Sequence, residues 1–202
     1  AGRGGASEHA PAFRPASTKL LLPCASRDEW TSALASAERS LRALSFAPPS
    51  VQAPSFERLE RALASRADAL AAALVEDLGW SAAEAADEVS AALRAFSVGW
   101  SGGADHLASS VPLGVRRPGL LVAAPPSDAP LLPLCRALGA ALWAGNAVIA
   151  AVPPAAPRAY LAFVEALEES GLHAGSVQVL FGRSTALAEA LEAPPAYLRY
   201  ED

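Results

Sequence analysis

Between residues 27 and 99 the apolar positions recur every three or four residues, the spacing of helices that bury one face. The first helix opens at Ser26-Arg27-Asp28-Glu29. The Ser26 hydroxyl can cap the helix while Glu29 reaches back to it, a capping box. Trp30, Ala33, Leu34, Ala37, Leu41 and Leu44 then form its inner face. Ala47-Pro48-Pro49-Ser50 breaks the pattern. A second, longer helix is predicted from about Ser55 to Leu78. Phe56, Leu59, Leu63, Leu70, Leu74 and Leu78 make its stripe, and Gly79 stands where a C-terminal cap belongs. A third begins with another capping box, Ser81 to Glu84. It turns Val89, Leu93 and Phe96 inward and is predicted to end near Gly99.

From about Val111 the period changes. Gly119–Ala124, Ala147–Val152 and Ser176–Phe181 are short, continuously apolar runs that read as buried strands. Between and after them the pattern predicts helices over Ala129–Trp143, Pro157–Ser170 and Ser184–Leu191. Tyr197–Tyr200 starts a fourth strand, and Lys19–Pro23 has the composition of a short one. Strands alternating with helices at this spacing imply right-handed crossovers and a parallel sheet. The predicted class is α/β: a Rossmann-like parallel sheet preceded by a helical layer. Residues 1–18, rich in Gly, Pro and Ala, read as a tail or linker. Residues 19–202 form the domain, helical over 19–110 and Rossmann-like over 111–202.

Composition narrows the function. The 202 residues are 52% hydrophobic and carry a net charge of −5 without a basic cluster, which argues against nucleic acid or an anionic membrane as partner. No apolar run approaches the roughly 20 residues of a spanning helix. Cys24 and Cys135 do not make a disulfide framework, so a reducing, cytoplasmic setting is expected. The chain begins with Ala and contains no Met, which suggests a piece of a longer protein.

Four segments in order give the chain a likeness. They are the helix end Leu74–Gly79 with the following Trp80–Leu93, the loop Pro125-Pro126-Ser127-Asp128-Ala129-Pro130, the turn Ala141-Leu142-Trp143-Ala144-Gly145-Asn146, and Gly171-Leu172-His173-Ala174-Gly175 before the third strand. They resemble, respectively, the helix ending in Gly-Lys, the Pro-Trp-Asn-x-Pro loop, the Ala-Leu-x-x-Gly-Asn turn and the Gly-Leu-Pro-x-Gly segment of the aldehyde dehydrogenase superfamily. The likeness covers the first part of that family's coenzyme-binding domain. A truncated copy of this kind resembles the degenerate second domain of the family 16 aldehyde dehydrogenases.

The resemblance also exposes departures. The family's Trp and oxyanion-holding Asn correspond to Ser127 and Asp128. An ionised Asp has only acceptor atoms and the wrong charge for that task, although a protonated one can still donate. The Lys and Glu that hold the adenosine ribose correspond to Ala151 and Pro154, whose side chains make no hydrogen bonds. The family's nucleophilic Cys and general-base Glu lie beyond the stretch that the likeness covers. Cys24 precedes the first helix, and Cys135 sits among Leu131, Leu132, Leu134 and Leu138 as an inert buried thiol.

The remaining candidates have plainer readings beside the chemical ones. Asp128 reads first as the cap of the helix that follows it. Gly182-Arg183-Ser184, at a strand-to-helix junction, reads first as an ordinary tight turn with a Ser cap and only second as an anion site. Asn146 reads as a support of the Gly145 turn, and the four Trp residues as packing anchors. His9, His106 and His173 are scattered, and no metal site is expected.

The expectation is a non-catalytic aldehyde-dehydrogenase-like domain with a structural or interaction role in a larger NAD-dependent protein. No cofactor is expected on this chain, and its partner would be another domain of the same polypeptide or a second subunit, met through an open sheet edge. The alternatives are the N-terminal fragment of an active NAD(P)-dependent aldehyde dehydrogenase, or a residual nucleotide-binding module.

Overall fold

The computed structural model describes residues 20, 22–44, 49–109, 119–182 and 198–201. The elements run α1 (Arg27–Leu44), α2 (Pro49–Ser65), α3 (Ala67–Leu78), α4 (Ala82–Ser109), β1 (Leu120–Ala123), α5 (Leu132–Trp143), β2 (Ala147–Val152), α6 (Pro157–Ser170), β3 (Val177–Phe181) and β4 (Leu198–Glu201). The four strands are all parallel, in the order β3-β2-β1-β4. This is the α/β, Rossmann-like class that the sequence predicts. The tail at 1–18 and the helix expected over Ser184–Leu191 lie outside the described residues. Leu20, Leu22 and Pro23 are not in a strand.

Strand alternation sorts the core onto two faces. Ala147, Ile149 and Ala151 of β2, with Leu120 and Val122 of β1, pack under Trp30, Ala33, Ala37 and Leu41 of α1. Val148, Ala150 and Val152 point the other way, into the larger core formed by α2 to α6. Every residue of β2 is buried, so its uninterrupted apolar run is the signature of a strand covered on both sides. The helical layer expected ahead of the sheet is therefore split. α1 covers one face, and α2, α3 and α4 lie with α5 and α6 on the other.

Local signals placed several boundaries. In α1 the Ser26 N–H donates to Glu29 Oε2 at 2.7 Å while the Glu29 N–H donates back to Ser26 Oγ. Ser81 and Glu84 repeat the arrangement at the start of α4. Gly79 and Gly171 end α3 and α6 with φ of 72° and 63°, a left-handed conformation that costs Gly little.

Two of the expected helices differ in their bounds. The long second helix is two helices, broken at Arg66, and the first of them starts at Pro49. At the break the Arg66 guanidinium pairs with both oxygens of Glu169 on α6. The third helix does not stop at Gly99 but continues to Ser109. Gly99 is there for contact: a Cβ on it would meet the backbone of Gly139 and Ala140 on α5 at 3.0–3.2 Å.

Candidate functional site

In the sheet the chain steps from β1 to β2 to β3 in one direction, and β4 lies on the far side of β1. The reversal between β1 and β4 is a topological switch point, and open α/β sheets bind ligands beyond the C-terminal ends of their strands at such points. The loops that follow β1 and β2 therefore form the candidate site. They contain Asp128 and Pro154, with Ala151 just before the second loop.

The β1–α5 loop stands beside a cleft of about 530 Å³, lined by Trp80, Glu84, Asp87, Glu88, Ala91 and Asp128. Asp128 is exposed there. It does not cap α5, contrary to the simplest sequence reading. The N-cap position is Leu131, without a side-chain bond, and Pro133 stands near the helix start. The cap comes from another helix: Glu88 Oε1 on α4 accepts the N–H groups of Leu131 at 3.0 Å and Leu132 at 2.8 Å. The Tyr160 hydroxyl of α6 donates to the Pro130 carbonyl at 3.3 Å.

α6 is built the same way. Its N-cap, Ala156, makes no side-chain bond. Asp77 Oδ2 of α3 accepts the Arg158 N–H at 2.7 Å and the Ala159 N–H at 3.4 Å, while Asp77 Oδ1 accepts from Arg158 Nη1 at 2.8 Å. The Asp77 side chain is 1% exposed. A carboxylate at a helix N-terminus is favourable both to the free N–H groups and to the helix dipole. Sequence reading missed Glu88 and Asp77, whose partners lie 43 and 81 residues away at nearest.

Ala151 and Pro154, the positions that the family resemblance relates to ribose contacts, carry no polar side chain. Ala151 is 3% exposed in the apolar cluster beneath Trp30, and Pro154 is exposed without a donor. At the starts of α5 and α6 the N–H groups of Leu131 and Leu132 are taken by Glu88, and those of Arg158 and Ala159 by Asp77. In the Gly182-Arg183-Ser184 candidate, the Gly182 N–H is committed to the Val152 carbonyl at 3.0 Å and does not point at an anion. Arg183 and Ser184 lie outside the described residues.

Neither cysteine is a positioned nucleophile. Burial pushes the Cys135 thiol up to about 12, with the Glu88 carboxylate adding to the effect. Cys24 is exposed, ahead of α1. Asn146 Oδ1 accepts the Gly119 N–H at 2.6 Å and joins the starts of β1 and β2, so it supports the turn rather than facing the cleft. Among the described residues no group of three or more His, Cys, Asp or Glu side chains is placed to hold a metal, and no helix is long and apolar enough to cross a membrane.

The sequence model of the aldehyde dehydrogenase family matches residues 4–197. The chain belongs to the aldehyde dehydrogenase family. It is 29% identical over 187 residues to 3-sulfolactaldehyde dehydrogenase of Priestia aryabhattai, a match covering 82% of this chain and 37% of that protein. The chain thus spans little more than a third of the curated relatives it matches. Among solved structures it is similar to Proline Utilization A of Bradyrhizobium japonicum, with 25% identity, a TM-score of 0.71, and coverage of 84% of this chain and 18% of the other. It also shares its fold with NADP-dependent glyceraldehyde-3-phosphate dehydrogenase of Bacillus halodurans C-125, at 21% identity and a TM-score of 0.71, covering 89% of this chain and 41% of that one.

Proposed function

We propose that this chain is a non-catalytic aldehyde dehydrogenase domain with a structural or interaction role in a larger cytoplasmic protein of the NAD(P)-dependent family. One observation carries the reading. The overall fold is that of the family's solved structures, while positions 128, 151 and 154 hold Asp, Ala and Pro in place of the side chains that the resemblance leads one to expect. The likeness to the degenerate second domain of family 16 fits this reading. The test is an assay of the chain with a panel of aldehydes and either NAD or NADP. Turnover above background would overturn the reading.

Its partner would be another domain of the same polypeptide or a second subunit. β3 supports this. It is an edge strand of the described sheet and none of its residues is fully buried. Among the described residues, the one backbone bond on its outer side is the Ala25 N–H to the Phe181 carbonyl at 2.6 Å. The N–H and C=O groups of Val177 and Val179 on that side suit an added strand. Light scattering of the protein and of a Val179→Lys variant tests this, and an unchanged oligomeric state would count against it.

The extent of the match favours a second reading. Since the relatives are more than twice as long, an active enzyme could carry its nucleophile outside this stretch. A Cys with an upstream Glu in the residues that follow in the gene would support it.

A further inference from the structure

We propose that Glu88 and Asp77 are positioning residues that fix the two loops at the switch point from outside, so that the shape of the site does not depend on the loops' own side chains. The proposal holds whether or not the domain is catalytic.

Three observations converge. The helices that follow β1 and β2 both lack a capping side chain of their own, at Leu131 and Ala156. Each first turn is closed by a single carboxylate, and both carboxylates come from the preceding helices α4 and α3. Each contact is reinforced once more, by the Tyr160 hydroxyl on Pro130 and by the Arg158 guanidinium on Asp77. Asp128 lies outside this scheme: it is exposed, and the chain turns back at Pro126–Ala129 through a backbone contact of 3.4 Å.

The chemistry explains the division. A carboxylate offers two acceptor oxygens and a negative charge, so one side chain satisfies two of the four orphan N–H groups at a helix start. A cap supplied within the loop would constrain the loop's sequence. A cap supplied from α3 or α4 leaves residues 124–130 and 153–156 free to change while their ends stay fixed. A loop can then carry Ser127, Asp128 and Pro154 and still join strand to helix in the family's manner.

Amide hydrogen exchange on the whole chain, read residue by residue, tests the proposal. In Glu88→Ala, the amides of Leu131 and Leu132 should exchange roughly tenfold faster or more, since their partner is charged and is lost outright. Arg158 and Ala159 should be unaffected. Asp77→Ala should give the reverse pattern. Glu88→Gln and Asp77→Asn, which keep an acceptor oxygen, should restore most of the protection, and Asp128→Ala should change neither pair. The proposal is overturned if Asp128→Ala releases Leu131 and Leu132 as much as Glu88→Ala does. It is also overturned if each substitution accelerates both pairs alike, the pattern of general destabilisation. Should the alanine variants fail to fold, Glu88→Leu and Asp77→Leu, which keep bulk but no acceptor, take their place: acceleration confined to the capped pair supports the proposal, and no change at either pair overturns it.

Discussion

Gly99 on α4 and Gly139 on α5 face each other so closely that a Cβ on Gly139 would stand 2.5 Å from the Phe96 carbonyl oxygen and 3.3 Å from the Gly99 Cα. The obstruction is backbone, which cannot swing aside as a long side chain can. Gly139→Ala should therefore force the two helices apart and destabilise the protein by about 1–3 kcal/mol, despite the better helix propensity of Ala. Chemical denaturation of the variant checks this. A variant as stable as the parent would mean that the helices are not packed so tightly.

That contact also shows which parts of the fold were legible. The capping boxes at Ser26 and Ser81 were readable because both partners lie within three residues. β2 was readable because six consecutive apolar residues fit a strand covered on two faces. Gly99 looked like a helix end because its reason for being Gly sits on another helix. The break at Arg66 was hidden for the same cause, with its partner Glu169 103 residues away. Asp128 suited a cap by type and position, but Glu88 already fills that place, and no local pattern announces a carboxylate 43 residues upstream. The strands and helices that flank the two loops were legible from the sequence, and the distant carboxylates that hold the helix starts were not.

Asn146 offers a test of turn support against ligand contact. Its Oδ1 accepts the Gly119 N–H, so only the acceptor is used in that bond. Asn146→Ala should cost about 1–2 kcal/mol, because the Gly119 N–H is left without its partner. Asn146→Asp retains the acceptor and should recover most of that loss. Denaturation midpoints of the three proteins at pH 7 decide, and equal losses in both variants would show that the amide donor matters instead.

The cap at the start of α4 carries a pH dependence. Bonds from Ser81 hold the Glu84 carboxyl below its ordinary value of 4.5. A group with a depressed folded-state value stabilises above its unfolded value, and that contribution fades as pH falls through the folded one. Glu84→Gln should thus be less stable than the parent at pH 6, with the difference shrinking below pH 4.5. A gap that widens in acid would reverse the assignment.

Cys135 should resist alkylation. Its thiol is buried and titrates near 12, so almost no thiolate exists at pH 8, and the sulfur is out of reach as well. Iodoacetamide should label Cys24 in the folded protein and Cys135 only after denaturation. The sign of the linkage is fixed. The folded value lies above the model-compound 9.0, so this contribution to stability is complete below about 9 and is lost as pH rises toward about 12. Rapid labelling of Cys135 at pH 8 in native protein would contradict the burial.

Dinucleotide affinity gives the most direct check on the site. Recognition of an adenosine ribose needs polar groups aimed at its hydroxyls. Here the positions that the resemblance relates to that task are Ala151, packed under Trp30, and Pro154, which lacks both a side-chain donor and a backbone N–H. Glu88 holds the N–H groups of Leu131 and Leu132, and Asp77 those of Arg158 and Ala159, so a phosphate at these four would have to displace a carboxylate. Isothermal titration with NAD and with NADP should show no binding at low micromolar concentration. The double variant Ala151→Lys, Pro154→Glu supplies a cation and an acceptor on the second loop and should bind measurably better than the parent. Catalysis should not follow, since Asp128 remains where a donor is needed and neither Cys135 nor Cys24 is a positioned thiolate. Low-micromolar binding by the unmodified chain would mean that contacts outside Ala151 and Pro154 suffice to hold the nucleotide, and the non-catalytic reading would lose its main support.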